Sequence, residues 1–114
     1  MTDPTAARPG VDVGARRRRG GDGEVSAPDY DTVIVGAGFS GIGAAITLDK
    51  AAMADYLVLE AGDGPGGTWY WNTYPGIAVD IPSFSYQFPF EQSADWTRSY
   101  APGHELKAYA EHCV

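Results

Sequence analysis

The chain has 114 residues, enough for one modest domain, and it carries a net charge of −7 with a single cysteine, Cys113. No apolar run approaches the roughly 18 residues needed to span a bilayer, and the charged N-terminus lacks a secretory apolar segment. One cysteine excludes an internal disulfide, which favours a cytoplasmic protein, and the acidic balance argues against nucleic acid as a partner.

The first 28 residues differ in composition from the rest of the chain. Residues 1–28 are rich in Gly, Pro, Ala, Asp and Arg and have almost no large apolar side chains. Such a segment buries too little surface to offset the entropy of ordering it, so we predict a disordered arm before a domain over 29–114. The run Arg16–Arg19 fits either a patch for anionic surfaces or a solvated arm tip, and the absence of neighbouring aromatic or helical pattern favours the second.

A strand–helix–strand pattern follows the arm. Residues 32–35 form a short β-branched run that ends at Gly36, as a buried parallel strand does. Residues 39–54 place apolar side chains at helical spacing, which predicts a helix. Residues 56–59 are a second apolar run, ending at Glu60, and predict a second strand.

The C-terminal half is less regular. Residues 61–68 are a glycine-rich loop, and the aromatic stretch 69–96 contains three prolines, so it cannot be one long helix. Apolar side chains from Leu106 to Val114 recur at helical spacing and predict a last helix that reaches the terminus without a capping residue. We expect the chain to be a truncated domain.

A glycine fingerprint joins the first strand to the first helix. Residues 36–41, Gly-Ala-Gly-Phe-Ser-Gly, match G-x-G-x-x-G, and Glu60 follows at the end of the second strand. Gly36 permits the tight turn, Gly38 lets the backbone approach a diphosphate, and Gly41 lets the helix pack close to the strand. The predicted fold class is therefore α/β, with a Rossmann-like βαβ unit and an incomplete doubly wound parallel sheet.

Glu60 stands where an acid accepts hydrogen bonds from the ribose hydroxyls of an adenosine. It also repels a 2′-phosphate, so the site should prefer FAD or NAD over NADP. The alternative is an exposed glutamate at a strand end with no partner. A second glycine pair, Gly66-Gly67, follows Glu60 after five intervening residues and would let another loop run close along the ligand.

The most specific stretch is residues 66–80, Gly-Gly-Thr-Trp-Tyr-Trp-Asn-Thr-Tyr-Pro-Gly-Ile-Ala-Val-Asp. It resembles the G-G-T-W-x-W-N-x-Y-P-G-x-x-x-D signature of the Baeyer–Villiger monooxygenases, within the flavin-containing monooxygenases. The chain departs from the family pattern at Thr73, where arginine is common, and at Ala78-Val79, where an Arg-Cys pair is frequent.

The resemblance implies FAD as the cofactor of this site. It places Ser40 and Glu60 at the adenosine half and the Thr68–Trp71 segment along the diphosphate and flavin. Asp80 would lie beside the flavin, facing the nicotinamide, as the catalytic candidate. The cofactor-binding residues so predicted are Gly36, Gly38, Ser40, Gly41, Glu60, Gly67, Thr68, Trp69, Tyr70, Trp71, Asp80 and Tyr86.

The function implied is insertion of oxygen from O₂ into a ketone, with NADPH as the reductant. The 114 residues contain no second G-x-G-x-x-G for NADPH and no F-x-G-x-x-x-H-x-x-x-W fingerprint. Two hypotheses therefore stay open: the first part of a longer monooxygenase, or a stand-alone weak FAD-binding module or inactive fragment. His104 and His112 have no ligand partners at suitable spacing, so no metal site is predicted.

Overall fold

The computed structural model describes the backbone of residues 11–16 and the whole of residues 28–114. None of the helices in these ranges has the length and apolar composition required to cross a bilayer. The elements, in chain order, are strand β1 (Val11–Arg16), strand β2 (Thr32–Val35), helix α1 (Phe39–Lys50), strand β3 (Tyr56–Glu60), the short helix α2 (Thr68–Trp71), a 3₁₀ turn (Ser83–Ser85) and helix α3 (Gly103–Cys113).

The sheet contains the predicted βαβ unit. Strands β2 and β3 are parallel, with Thr32 opposite Tyr56 and Val35 opposite Leu59, and α1 connects them. Their carboxyl ends meet at one edge, which is where ligands bind in open α/β sheets. The predicted α/β class and Rossmann-like unit are confirmed.

Strand β1 is a correction to the disordered arm predicted for residues 1–28. Val11–Arg16 pairs antiparallel with β3, giving the strand order β1-β3-β2. The edge of β3 that faces away from β2 offers unpaired backbone groups, and these accept another strand whatever its side-chain composition. Residues 1–10 and 17–27 of the predicted arm, including Arg17–Arg19, lie outside the described residues.

Helix α1 ends four residues before the predicted position. It stops at Lys50 because Ala52 adopts a left-handed conformation with φ of 57°. The N–H of Ala52 donates to the Asp49 carbonyl and that of Met53 donates to the Leu48 carbonyl, which is the Schellman pattern. Glycine usually occupies this position, so an alanine there carries no signal for the stop.

One face of the sheet packs on α1 and the other is open. Side chains alternate along a strand, so Tyr56 and Val58 face α1 and are buried together with Ala37. On the opposite face Val33 and Val35 are 52% and 85% exposed. The fold therefore has one covered and one uncovered sheet surface in the described residues.

A second core lies beyond the sheet. The buried side chains of Trp69, Val79, Ala101 and Leu106 form it, and Leu106 on α3 is completely buried. Backbone pairing between residues 78–83 and 99–102 closes this core from the side. The buried Ser83 hydroxyl accepts the N–H of Ala101 at 2.8 Å and lies 3.0 Å from the Ser99 carbonyl. It therefore links the segment 78–83 to the segment 99–102.

Tyr109 on α3 joins the loop 88–91 to this core. Its phenol oxygen accepts the N–H of Phe88 at 2.9 Å and its hydroxyl donates to the Glu91 carbonyl at 2.6 Å. Tyr109→Phe is expected to cost about 1–3 kcal/mol of unfolding free energy, because the Phe88 N–H loses its acceptor. Urea unfolding at neutral pH measures the loss.

The Tyr109→Phe variant should also lose part of the pH dependence of its unfolding free energy. Burial, more than the neighbouring Cys113 and Glu91, raises the pKa of Tyr109 from 10 to about 12. The folded state therefore holds this proton more tightly than the unfolded state does. The protonated Tyr109 contributes its whole share of the unfolding free energy below pH 10, and this contribution is lost between pH 10 and about 12. Burial also raises the pKa of the Cys113 thiol, so the comparison is made in a Cys113→Ala background. Equal slopes of stability against pH with and without the Tyr109→Phe substitution would contradict the assignment.

Candidate functional site

The glycines of the turn between β2 and α1 meet two different requirements, a positive φ at Gly36 and close packing at Gly41. Gly36 adopts φ of 99° and its N–H donates to the Leu59 carbonyl at 2.6 Å, which ties the turn to β3. A Cβ placed on Gly41 would lie 1.9 Å from the Gly36 carbonyl oxygen and 3.5 Å from the Ile34 side chain. The close packing of helix on strand expected at Gly41 is therefore present.

Helix α1 begins with open amide groups. Gly38 is the N-cap, and no side chain forms a capping hydrogen bond to the first turn. The first intrahelical bond runs from the N–H of Ile42 to the Gly38 carbonyl, so the amides of residues 39–41 have no helical acceptor. Such amides, with the partial positive charge of the helix end, suit a phosphate group.

A second glycine loop lies directly against this turn. The N–H of Gly66 donates to the Ala37 carbonyl at 2.9 Å. A Cβ on Gly67, which has φ of 55°, would lie 2.9 Å from the Cα of Gly38. Glycine is therefore required at position 67, where the two loops touch, and α2 then starts beside the beginning of α1.

An open cleft runs between the two loops. Its volume is about 370 Å³, at the lower end of the range for ligand pockets. It combines backbone from both glycine segments with aromatic walls. Its lining residues are Val35, Gly36, Gly38, Phe39, Ser40, Gly41, Gly66, Gly67, Thr68, Trp69 and Tyr86.

Glu60 lies under the turn and not at its surface. Its carboxylate is buried, with 6% of the residue exposed. One oxygen, Oε2, accepts the N–H of Ala37 at 2.7 Å, and the other, Oε1, accepts the N–H of Gly62 at 2.9 Å. The alternative, that Glu60 is an exposed glutamate with no partner, is therefore wrong.

Two aromatic side chains of the cleft are linked to each other. The indole Nε1 of Trp69 donates to the hydroxyl oxygen of Tyr86 at 3.1 Å, and their rings meet edge to face at 5.8 Å. Indole nitrogen can only donate, so the Tyr86 hydroxyl keeps its own hydrogen for another acceptor. Tyr86 also packs on Phe39, with ring centroids 5.1 Å apart, which fixes the wall at the start of α1.

Other predicted site residues lie outside the cleft. Tyr70 and Trp71 contact each other edge to face and cover the loop at Gly62, where a Cβ would meet both rings at 2.9 Å. The Tyr70 hydroxyl accepts the N–H of Asp63. Asp80 is exposed and does not line the cleft. Flavin contacts by these side chains remain predictions.

Sequence reasoning did not single out three residues that shape the site. Phe39 lines the cleft from an unrestricted position of the fingerprint, and Ala37 supplies the backbone N–H and carbonyl that tie the turn to Glu60 and Gly66. The third is Gly66, which belongs to the second glycine pair of the sequence but is not among the predicted cofactor-binding residues. Phe39 and Ala37 stand at positions where the fingerprint accepts any residue, so the pattern carries no signal for them. Gly66 is a glycine because its φ of 124° is a conformation that other residues rarely adopt.

A larger hollow of about 430 Å³ lies elsewhere, between α3 and residues 91–96. Its lining includes three acidic residues, one of which, Glu91, is paired to His112 at 3.0 Å, and it has no glycine walls or open helix amides. Among the residues that the structure describes, no three His, Cys, Asp or Glu side chains form a potential metal site. The glycine-walled cleft is therefore the candidate site.

The comparison with protein families agrees with this geometry. A family model described as an NAD(P)-binding Rossmann-like domain matches residues 34–102, which include both glycine segments and Glu60. The match covers more than half of the chain, so the chain belongs to the family of NAD(P)-binding Rossmann-like domains.

Individual proteins that are similar to this chain point to a more specific group, the monooxygenases. The chain is 48% identical over 80 residues to a Baeyer–Villiger monooxygenase of Pseudomonas aeruginosa, covering 70% of this chain and 15% of that protein. It is similar to a cyclohexanone-bound cyclohexanone monooxygenase, with 39% identity, a TM-score of 0.70 and coverage of 75% and 17%. The OTEMO complex with FAD and NADP gives 34% identity, a TM-score of 0.70 and coverage of 77% and 17%. The predicted resemblance is confirmed, and the chain spans about one sixth of the length of these relatives.

Proposed function

We propose that this chain is the FAD-binding part of an NADPH-dependent flavoprotein monooxygenase that inserts oxygen into ketones. The observation that carries the proposal is the meeting of two glycine loops beside Glu60, which leaves helix amides open towards one cleft. The proposal draws its substrate class from the relatives, one of which was solved with cyclohexanone bound.

The cleft fits the diphosphate of a dinucleotide. Gly38 has ordinary dihedral angles, and a Cβ there would meet only the Cα of Gly67, at 3.6 Å. The protein itself therefore does not require glycine at this position, whereas a ligand lying close to the backbone does. The acid at position 60 disfavours a 2′-phosphate on the same side, which supports FAD over NADP for this cleft.

The aromatic wall fits the flavin end. Phe39, Trp69 and Tyr86 offer ring surfaces that exclude water from a flat ligand. The free hydrogen of the Tyr86 hydroxyl is available to an acceptor atom on that ligand. Bound FAD would supply the redox chemistry, taking electrons from NADPH and passing them to O₂.

The remaining roles belong to the complete protein. Asp80 is exposed on the segment that pairs with residues 99–102, so it is free to face a partner from another part of a longer chain. NADPH, O₂ and the ketone are proposed partners of that longer protein. A cytoplasmic location is proposed with them, since the sequence has one cysteine and no disulfide framework.

The second candidate is a stand-alone weak FAD-binding module without catalysis. The same cleft supports it, because residues of this chain line the whole of the cleft. Purification followed by a visible absorption spectrum tests flavin binding. We expect bound flavin but no NADPH consumption with cyclohexanone, and turnover by the 114-residue chain would reject the module hypothesis.

Glu60→Ala is expected to weaken FAD binding by about tenfold or more, because charge-assisted hydrogen bonds of a buried carboxylate are lost. Equilibrium titration with FAD, followed by flavin fluorescence, gives the ratio of dissociation constants. Glu111→Ala, at an exposed acid on α3, serves as the control and should bind FAD like the wild type. Unchanged FAD affinity in Glu60→Ala would remove Glu60 from the site.

A further inference from the structure

The buried carboxylate of Glu60 holds together two segments that are distant in sequence. Ala37 lies in the turn after β2, 23 residues before Glu60, and Gly62 lies in the loop after β3. Each carboxylate oxygen accepts the N–H of one of them, at 2.7 Å and 2.9 Å. Both bonds exist within the protein itself, so they do not depend on a ligand.

The peptide groups of Ala37 are held from both sides. Its N–H donates to Glu60, and its carbonyl accepts the N–H of Gly66 at 2.9 Å, while its side chain is completely buried. Rotation of these groups would break a charge-assisted hydrogen bond in a buried place, which is costly. The Ala37 carbonyl and the Gly38 N–H belong to one peptide plane, so the bonds at Ala37 fix the direction of the Gly38 amide immediately before α1.

A carboxylate has capacity for more hydrogen bonds than these two. Its two oxygens offer about four lone-pair positions, so sugar hydroxyls can bind without displacing either backbone N–H. The ribose contact predicted for Glu60 and the internal contacts observed here are therefore compatible. Glu60→Ala would remove both, so that variant cannot separate them.

We propose that Glu60 is a positioning residue that fixes the diphosphate-binding turn before any ligand arrives, through the N–H groups of Ala37 and Gly62. The ligand side of this inference rests on the proposed dinucleotide function. The two hydrogen bonds from the Ala37 and Gly62 N–H groups to Glu60, here called the brace, are a property of the unliganded protein.

Glu60→Gln is the variant that separates the two roles. Glutamine has the same shape, but it has one acceptor oxygen, and its NH₂ group would face one of the two backbone N–H groups. Asp63→Asn is the matched control, because it removes the same charge from the same loop at an exposed side chain.

The first measurement is amide hydrogen exchange by NMR in the unliganded chain. The Ala37 and Gly62 amides of the wild type should be protected, and at least one should exchange about tenfold faster in Glu60→Gln, with little change in Asp63→Asn. Rapid exchange of both amides in the unliganded wild type would overturn the proposal even if Glu60→Gln does not fold.

The second measurement is the affinity for inorganic pyrophosphate, which has no sugar. If Glu60 acts by positioning the turn, Glu60→Gln should bind pyrophosphate several-fold more weakly although a nearby negative charge has been removed. If Glu60 contacts only ribose, loss of its charge should leave the affinity equal or higher, as in Asp63→Asn, and that result would overturn the proposal. Protected amides without FAD binding would reject the proposed function and leave the brace standing, whereas FAD binding with unprotected amides would do the reverse.

Discussion

Gly41→Ala is expected to destabilise the chain by more than about 3 kcal/mol, beyond the usual cost of overpacking. The added methyl group would lie 1.9 Å from the Gly36 carbonyl oxygen, which is backbone and cannot move aside without opening the turn. Because α1 would have to move away from β2, the core around Ala37 and Val58 would open as well. Thermal unfolding followed by circular dichroism measures the effect.

Gly36→Ala is the control for this prediction. Gly36 adopts φ of 99°, but no atom lies within 4 Å of the position that a Cβ would take, so alanine there meets strain and no clash. The expected cost is about 1–2 kcal/mol, the penalty of a left-handed conformation. Equal destabilisation by the two substitutions would mean that the close contact at Gly41 is not what requires glycine.

Gly38→Ala is expected to abolish FAD binding while the fold persists. The dihedral angles of Gly38 suit alanine, and the new methyl group would stand in the cleft at an ordinary contact distance from Gly67. We expect an unfolding free energy within about 1 kcal/mol of the wild type and FAD affinity at least about a hundredfold weaker. A flavin titration and a melting curve on the same preparation measure both quantities.

The matched control is Gly64→Ala, in the second loop but outside the cleft. A Cβ there would contact the Tyr70 ring at 3.5 Å, so the substitution is sterically similar. It should retain FAD. Tight FAD binding by Gly38→Ala would show that the ligand does not pass close to this backbone, and the diphosphate assignment would fail.

The regular elements could be predicted because their signals are local. The β-branched run at 32–35, the glycine fingerprint and the apolar run at 56–59 each specify structure within a few residues. Strand β1 was missed because pairing with an open sheet edge depends on the backbone of β3 and not on the composition of the arm. The end of α1 was missed because alanine, not glycine, takes the left-handed position at Ala52.

The site was predictable in outline but not in its internal contacts. The fingerprint and Glu60 indicated a dinucleotide site, since their spacing is tied to the fold. The pairing of Glu60 with Ala37 spans 23 residues and leaves no trace in sequence. The direction of the Tyr70 and Trp71 rings depends on contacts with the loop at Gly62, which pattern alone does not contain.

In the described residues, the cleft lies beside two hydrophobic cores, one beneath α1 and one around Leu106. A molecule seated in it would touch the strand–helix turn on one wall and Trp69 on the other, and so would add contacts between the parts of the protein that contain these cores. Its binding energy would then appear as resistance to melting, by about 2.7 kcal/mol when the free ligand is a hundred times its dissociation constant. If that ligand is FAD, as proposed above, its supply would raise the fraction of the chain that is folded.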